Sequence, residues 1–98
     1  MSCPPSDNKK LCWFVYIILT NQHSLYTGIT TNLQRRFQEH LDIADGKANA
    51  KGAKFFRTAR PLQIVHSEIF ENRSLASQRE AEIKALNKTE KQKLLQNQ

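Results

Sequence analysis

Apolar residues follow one another without a break from Leu11 to Leu19, in "LCWFVYIIL". Such a run, rich in aromatic and β-branched side chains, suits a strand covered on both faces, hence a central one. The polar "NQHS" ends it and "LYTGITT" reads as a second strand, joined antiparallel by a short connection. The turn lacks the favoured Asn-Gly. With a three-residue loop, Thr20 pairs with Ser24, Tyr16 faces Gly28 and Ile18 faces Tyr26. Side chains repeat every second residue, so all four then share one sheet face. Thr31 and Gln34 have the spacing of a capping box opening a helix. Leu33, Phe37, Leu41 and Ala44 recur along one side of it, a buried stripe. Arg36 and His40 stack one turn apart at the margin of that stripe, while Arg35 points to solvent.

Residues 45–60, "DGKANAKGAKFFRTAR", read as a basic loop that closes by tucking Phe55 and Phe56 into the core. "PLQIVHSEIF" is the third strand, with Leu62, Ile64 and His66 expected on one face and Gln63, Val65 and Ser67 on the other. Ser74 is expected to cap a helix through "LASQREAEIKAL". Thr89 and Gln92 are expected to open a last one through "EKQKLLQNQ". The expected fold is α+β, a three-stranded antiparallel sheet flanked by helices in the order β-β-α-β-α-α.

Ninety-eight residues allow one core, expected over 11–98. The proline-bearing "MSCPPSDNKK" is expected as a disordered tail over 1–10. The net charge of +6 favours a polyanionic partner, nucleic acid before an acidic surface. Cys3 and Cys12 are too few for a disulfide framework and lack metal-ligand company, which fits a reducing cytoplasm. The apolar run is short for a bilayer span and no cleavage signature follows it, so no membrane partner is expected.

Two tyrosines in strands mean little singly, because tyrosine is a common sheet residue. A shared face with Gly28 between them changes that, since a strand glycine often marks close approach of a ligand or another backbone. Arg36 has the fork that matches phosphate oxygens, and a nearby His40 can relay a proton. Glu80 and Glu82 lie on opposite margins of their helix's apolar stripe, so periodicity leaves open which would hold a hard cation. Lys47, Lys51, Lys54, Arg57 and Arg60 can track a phosphate backbone without reading sequence. There is no P-loop, Rossmann fingerprint, zinc spacing or serine nucleophile elbow.

Together these residues resemble the GIY-YIG nuclease superfamily, in its small single-domain bacterial branch. Phe14-Val15-Tyr16 stands at the first motif and Tyr26-Thr27-Gly28 at the second. "TNLQRRFQEH" carries Arg36 and His40, and "REAEIK" carries the glutamate. Phe14 replaces the motif's Gly and Thr27 its Ile; neither change removes a reacting group.

The resemblance implies a metal-dependent endonuclease acting on DNA, structure-selective or non-specific, with RNA left open as a substrate. It implies one Mg²⁺ or Mn²⁺ held by Glu80, whose place before Lys84 matches a Glu-x-x-Ile-Lys pattern. Arg36 would stabilise phosphorane charge, and Tyr16, Tyr26 and His40 would orient and deprotonate water, the proton acceptor among them left open. A tyrosine with a pKa near 10 needs a neighbouring cation to act as a base at neutral pH. Gly28 and Asn87 would be supporting residues, Asn87 from the same helix side as Glu80. The alternatives are a catalytically weak nucleic-acid-binding module and an interaction domain docking an acidic partner. A protein partner that supplies specificity is compatible with the nuclease reading.

Overall fold

The computed structural model describes residues 12–47 and 54–96. Strands β1 (Trp13–Thr20), β2 (Leu25–Thr30) and β3 (Pro61–Phe70) form one antiparallel sheet in the order β2-β1-β3. The uninterrupted apolar strand is the central one, as its pattern requires. Helix α1 (Leu33–Ala44) follows β2, a 3₁₀ turn (Lys54–Arg57) precedes β3, and α2 (Arg73–Ala85) and α3 (Lys88–Gln96) close the order. The expected α+β order is observed, with one added turn.

Each sheet face has its own core. Val15 and Ile17 pack with Ala76 and Ile83 of α2 and with Leu94 and Leu95 of α3. Tyr16 and Ile18 pack on the other face with Phe56 of the 3₁₀ turn and with Leu33, Phe37 and Ile43 of α1. Full burial of each large apolar side chain contributes roughly 1.5–3 kcal/mol. The alternation of β1 therefore divides the molecule into two layers of helix, and Tyr16 belongs to the α1 layer.

The hairpin has the expected register, with Tyr16 opposite Gly28 and Ile18 opposite Tyr26. Polar side chains hold its loop in place of Asn-Gly. The Thr20 hydroxyl accepts from the amides of Gln22 and Ser24 and lies 2.6 Å from the Ser24 hydroxyl. His23 takes the left-handed conformation at φ +62°, a position that glycine occupies with less strain.

Each α-helix among the described residues opens on an asparagine, where the expected caps were Thr31, Ser74 and Thr89. Asn32 accepts from the Arg35 amide and Asn72 from the Leu75 amide, in place of Thr31 and Ser74. Asn87 accepts from the Glu90 amide while Glu90 accepts from the Asn87 amide, a reciprocal cap in place of Thr89 and Gln92. At the other end of α1, Gly46 sits at φ +71° and donates to the Ile43 carbonyl, and Lys47 donates to that of Asp42. This closure needs a left-handed residue, which glycine supplies at no steric cost.

Two irregularities in the β1–β3 pairing overturn the expected faces of β3. Ile17 pairs with His66 but Ile18 with Ile64, and Leu19 pairs with Gln63 but Thr20 with Pro61, so Val65 and Leu62 are extra residues. His66 therefore shares the face of Ile17, whereas Ile64 shares that of Ile18; Leu62 is exposed. On the α2 side, His66 Nε2 lies 2.7 Å from Glu68, which accepts from Arg79 Nε and Nη2 at 2.9 and 3.1 Å. The fork ties α2 to β3 and fixes the rotation of the helix that carries Glu80. No helix among the described residues is long and apolar enough to cross a membrane.

Candidate active site

The site is built where α1 packs on the sheet face that carries Tyr16. Tyr16 is buried, and its ring lies across the space that Gly28 leaves empty. A Cβ on residue 28 would stand 2.6 Å from the Tyr16 hydroxyl and 2.8 Å from Cζ. His40 is the one fully buried residue of α1, and its Nε2 is 2.8 Å from the Tyr16 hydroxyl. The sequence reading set His40 at the margin of the apolar stripe. It is instead at the centre of the buried face, because Ile43 widens the stripe towards it.

Aromatic rings enclose this pair. Phe56 stands 4.3 Å from the His40 ring and 4.8 Å from Tyr26, centroid to centroid, and Tyr26 meets His40 edge-on at 5.4 Å. Phe56 is thus the buried wall of the site, tucked into the core as the sequence pattern led one to expect. Phe55 does not tuck into the core as expected. It is 39% exposed and leans on Tyr26 at 5.4 Å.

This enclosure governs the charges. Burial, then the Arg36 charge, push His40 down to about 4, against a smaller opposing effect of Glu39. His40 is therefore a neutral imidazole at pH 7, and its Nδ1 is buried without a hydrogen-bond partner among the described residues. Burial pushes Tyr16 up to about 12, aided by Tyr26 and Glu80 and opposed by its hydrogen bond to Arg36. Burial also works against the charge of Arg36, yet hydrogen bonds to Glu39 and Tyr16 hold it above its ordinary value. The Arg36 Nη1 donates to Glu39 at 2.7 Å, a residue the sequence reading passed over.

Glu80 and Glu82, equivalent by periodicity, differ in the fold. Glu82 is 65% exposed and takes the remaining arm of Arg79 at 3.0 Å. Glu80 is 23% exposed, meets Lys84 at 3.3 Å, and its charge reaches Tyr16. Asn87 does not stand on the helix side of Glu80. Helix α2 ends at Ala85, Leu86 is extended, and the Asn87 carbonyl oxygen is committed to the α3 cap.

The expected basic residues separate into kinds. Lys47 is paired with Asp42 at 3.2 Å, and Arg60 with Asp45 at 2.5 Å. Lys51 lies outside the described residues. Lys54 and Arg57 form no ion pair with any described residue.

The tight seat of Tyr16 over Gly28 gives a direct test. Gly28→Ala is expected to displace the ring, lengthen the Tyr16–His40 contact and destabilise the fold by about 1–3 kcal/mol, the usual cost of overpacking. Urea denaturation measures it; an unchanged midpoint would mean that the ring has room to move.

Comparison with known proteins matches this arrangement to one family. Residues 12–94 match the model of the GIY-YIG catalytic domain. A UPF0213 protein of Desulfotalea psychrophila is 45% identical over 98 residues, covering 97% of this chain and 82% of the relative. One from Photorhabdus laumondii subsp. laumondii is 45% identical, covering 85% and 73%. The solution NMR structure of the UPF0213 protein BH0048 from Bacillus halodurans superimposes with a TM-score of 0.52 at 28% identity, over 89% of this chain and 85% of that one. With its two tyrosines and His40 gathered in one aromatic site beside Arg36, and a match spanning nearly all its described residues, the chain belongs to the GIY-YIG nuclease family, in its small UPF0213 branch.

Proposed function

We propose that the protein is a divalent-metal-dependent endonuclease that hydrolyses phosphodiester bonds in DNA. One observation carries the reading. A buried phenol stands 2.8 Å from a neutral imidazole, and the charges of the Arg36 guanidinium and Glu80 both reach that phenol, in a chain of a nuclease family. The net charge of +6 suits a polyanionic substrate.

Hydrolysis needs a proton removed from water and negative charge stabilised on the non-bridging oxygens. Arg36 answers the second need, with a fork that stays charged under burial. Tyr16 is a phenol at pH 7, so it can take the water proton only while passing its own onward. His40 is neutral at that pH and 2.8 Å away, so Nε2 receives it. Tyr26 holds the imidazole edge-on and lines the path.

Glu80 would hold the metal ion. It is a partly exposed carboxylate with only a lysine to displace, and no cluster of three acidic, His or Cys groups occurs among the described residues. That donor set suits Mg²⁺, which keeps several waters and takes substrate phosphate oxygens into its shell. When bound, such an ion supplies positive charge to the phosphate and leaving oxygen.

The test is cleavage of labelled single-stranded, duplex, flap and branched DNA, with RNA beside them, in Mg²⁺, Mn²⁺ or EDTA. Cutting of DNA that needs the metal is expected. Folded protein that binds DNA in a salt-sensitive way yet cuts nothing in either metal would overturn the enzyme in favour of a binding module.

A further inference from the structure

Resting on the nuclease reading, we propose that Phe55 is a stacking platform for an unpaired base of DNA beside the reacting phosphate. Phe55 is one of the large apolar side chains left exposed among the described residues, and its ring meets Tyr26 of the candidate site. Its ring is fixed from two sides. It tilts against Tyr26 at 5.4 Å and meets buried Phe56 in a T-shape at 5.2 Å. A ring so held loses little freedom when a base stacks on its open face, which favours binding.

The charge around it is the right sign. Lys54 and Arg57 are the ends of the same 3₁₀ turn, and side chains three apart in such a turn eclipse one another. Both are exposed and free of ion pairs with described residues, unlike Lys47 and Arg60, which Asp42 and Asp45 hold. One turn of chain thus offers an aromatic face, two available cations and no acidic residue. An aromatic ring beside cations that track phosphates is the arrangement that holds single strands, because every base has a face to stack and duplex bases do not expose theirs. An acidic protein would find the cations but leave the ring without a matching partner, so the pair favours nucleic acid.

Fluorescence anisotropy in EDTA separates binding from cutting. The probes are a labelled single-stranded oligodeoxynucleotide, its duplex, and a set with one abasic site moved along the strand. Wild type is expected to prefer the single strand and to lose affinity at one abasic position. Phe55→Ala should weaken single-strand binding roughly 5- to 150-fold, the range for one lost aromatic–base stack. It should leave duplex binding unchanged and become indifferent to that abasic position, while Phe55→Trp retains the preference. The coupling between protein and strand changes makes the result independent of a small loss of stability. Equal loss on single strand and duplex, or an undiminished abasic effect in Phe55→Ala, would overturn the stacking role and leave the nuclease reading intact. Failure of wild type to bind any DNA would overturn both.

Discussion

Replacing Arg36 with alanine is expected to lower kcat by about 10²–10³-fold with little change in the fold, the usual loss when one preorganised stabiliser of transition-state charge is removed. Arg36 is partly exposed at one edge of the site, so its removal opens no large cavity; its contacts are with Glu39 and the Tyr16 hydroxyl. Arg36→Lys keeps a charge but not the planar fork, and should recover only a fraction of the rate. The position of Glu39 adds a second arm. In the free protein it holds Arg36 at 2.7 Å, so an incoming phosphate competes with a carboxylate already in place. Glu39→Gln should therefore tighten DNA binding while Arg36→Ala weakens turnover. Single-turnover cleavage beside binding in EDTA resolves the two. Glu80→Gln, which keeps the shape but removes the charge, should abolish metal-dependent cutting and leave EDTA binding untouched. An Arg36→Ala enzyme as fast as wild type would remove the electrostatic role from that residue.

Which parts of this were legible in the chain has a physical pattern. The hairpin was legible because strand side chains alternate strictly and a loop length then fixes every partner, Tyr16 to Gly28 included. The difference in surroundings between Glu80 and Glu82 was not. Both lie at similar offsets on α2, and what separates them is Arg79, which engages Glu68 on β3 and Glu82 on its own helix. That is a contact across elements, invisible to periodicity. The irregularities at Leu62 and Val65 were also hidden, because no glycine or proline occupies either extra position; the flip of His66 away from Ile64 follows from them. The asparagine caps were readable in principle. Asn caps helices as well as Ser does, and each lies within two residues of the Ser or Thr chosen instead. The burial of Phe56 was legible, but its place against the His40 and Tyr26 rings was not: a turn of four residues is too short to show a period.

Acid is expected to weaken the fold in a window set by His40. Its pKa is about 4 folded against an ordinary 6.5, so between these values the unfolded chain binds a proton that the folded chain refuses. Stability therefore rises with pH across that window, is fully present above 6.5, and is lost as pH falls towards 4. The loss should reach about 2 kcal/mol near pH 4.5, a drop of roughly 10 °C in Tm for a chain of this size. Glu68 and Asp42 are also depressed, but from ordinary values of 4.5 and 3.8, so their losses begin lower. His40→Gln should flatten the curve above pH 5 while leaving its lower limb. Tyr16, raised to about 12, acts at the other end: the unfolded chain loses its proton first, and stability falls as pH climbs from 10 towards 12. Tyr16→Phe should remove that limb alone. The same two groups shape catalysis, since His40 must be neutral to receive the Tyr16 proton. Cleavage by wild type should therefore persist to about pH 5, well below the point where an ordinary imidazole would be charged. A rate that fell away with an apparent pKa near 6.5 would mean that His40 is charged in the acid range, and the relay through Nε2 would not stand.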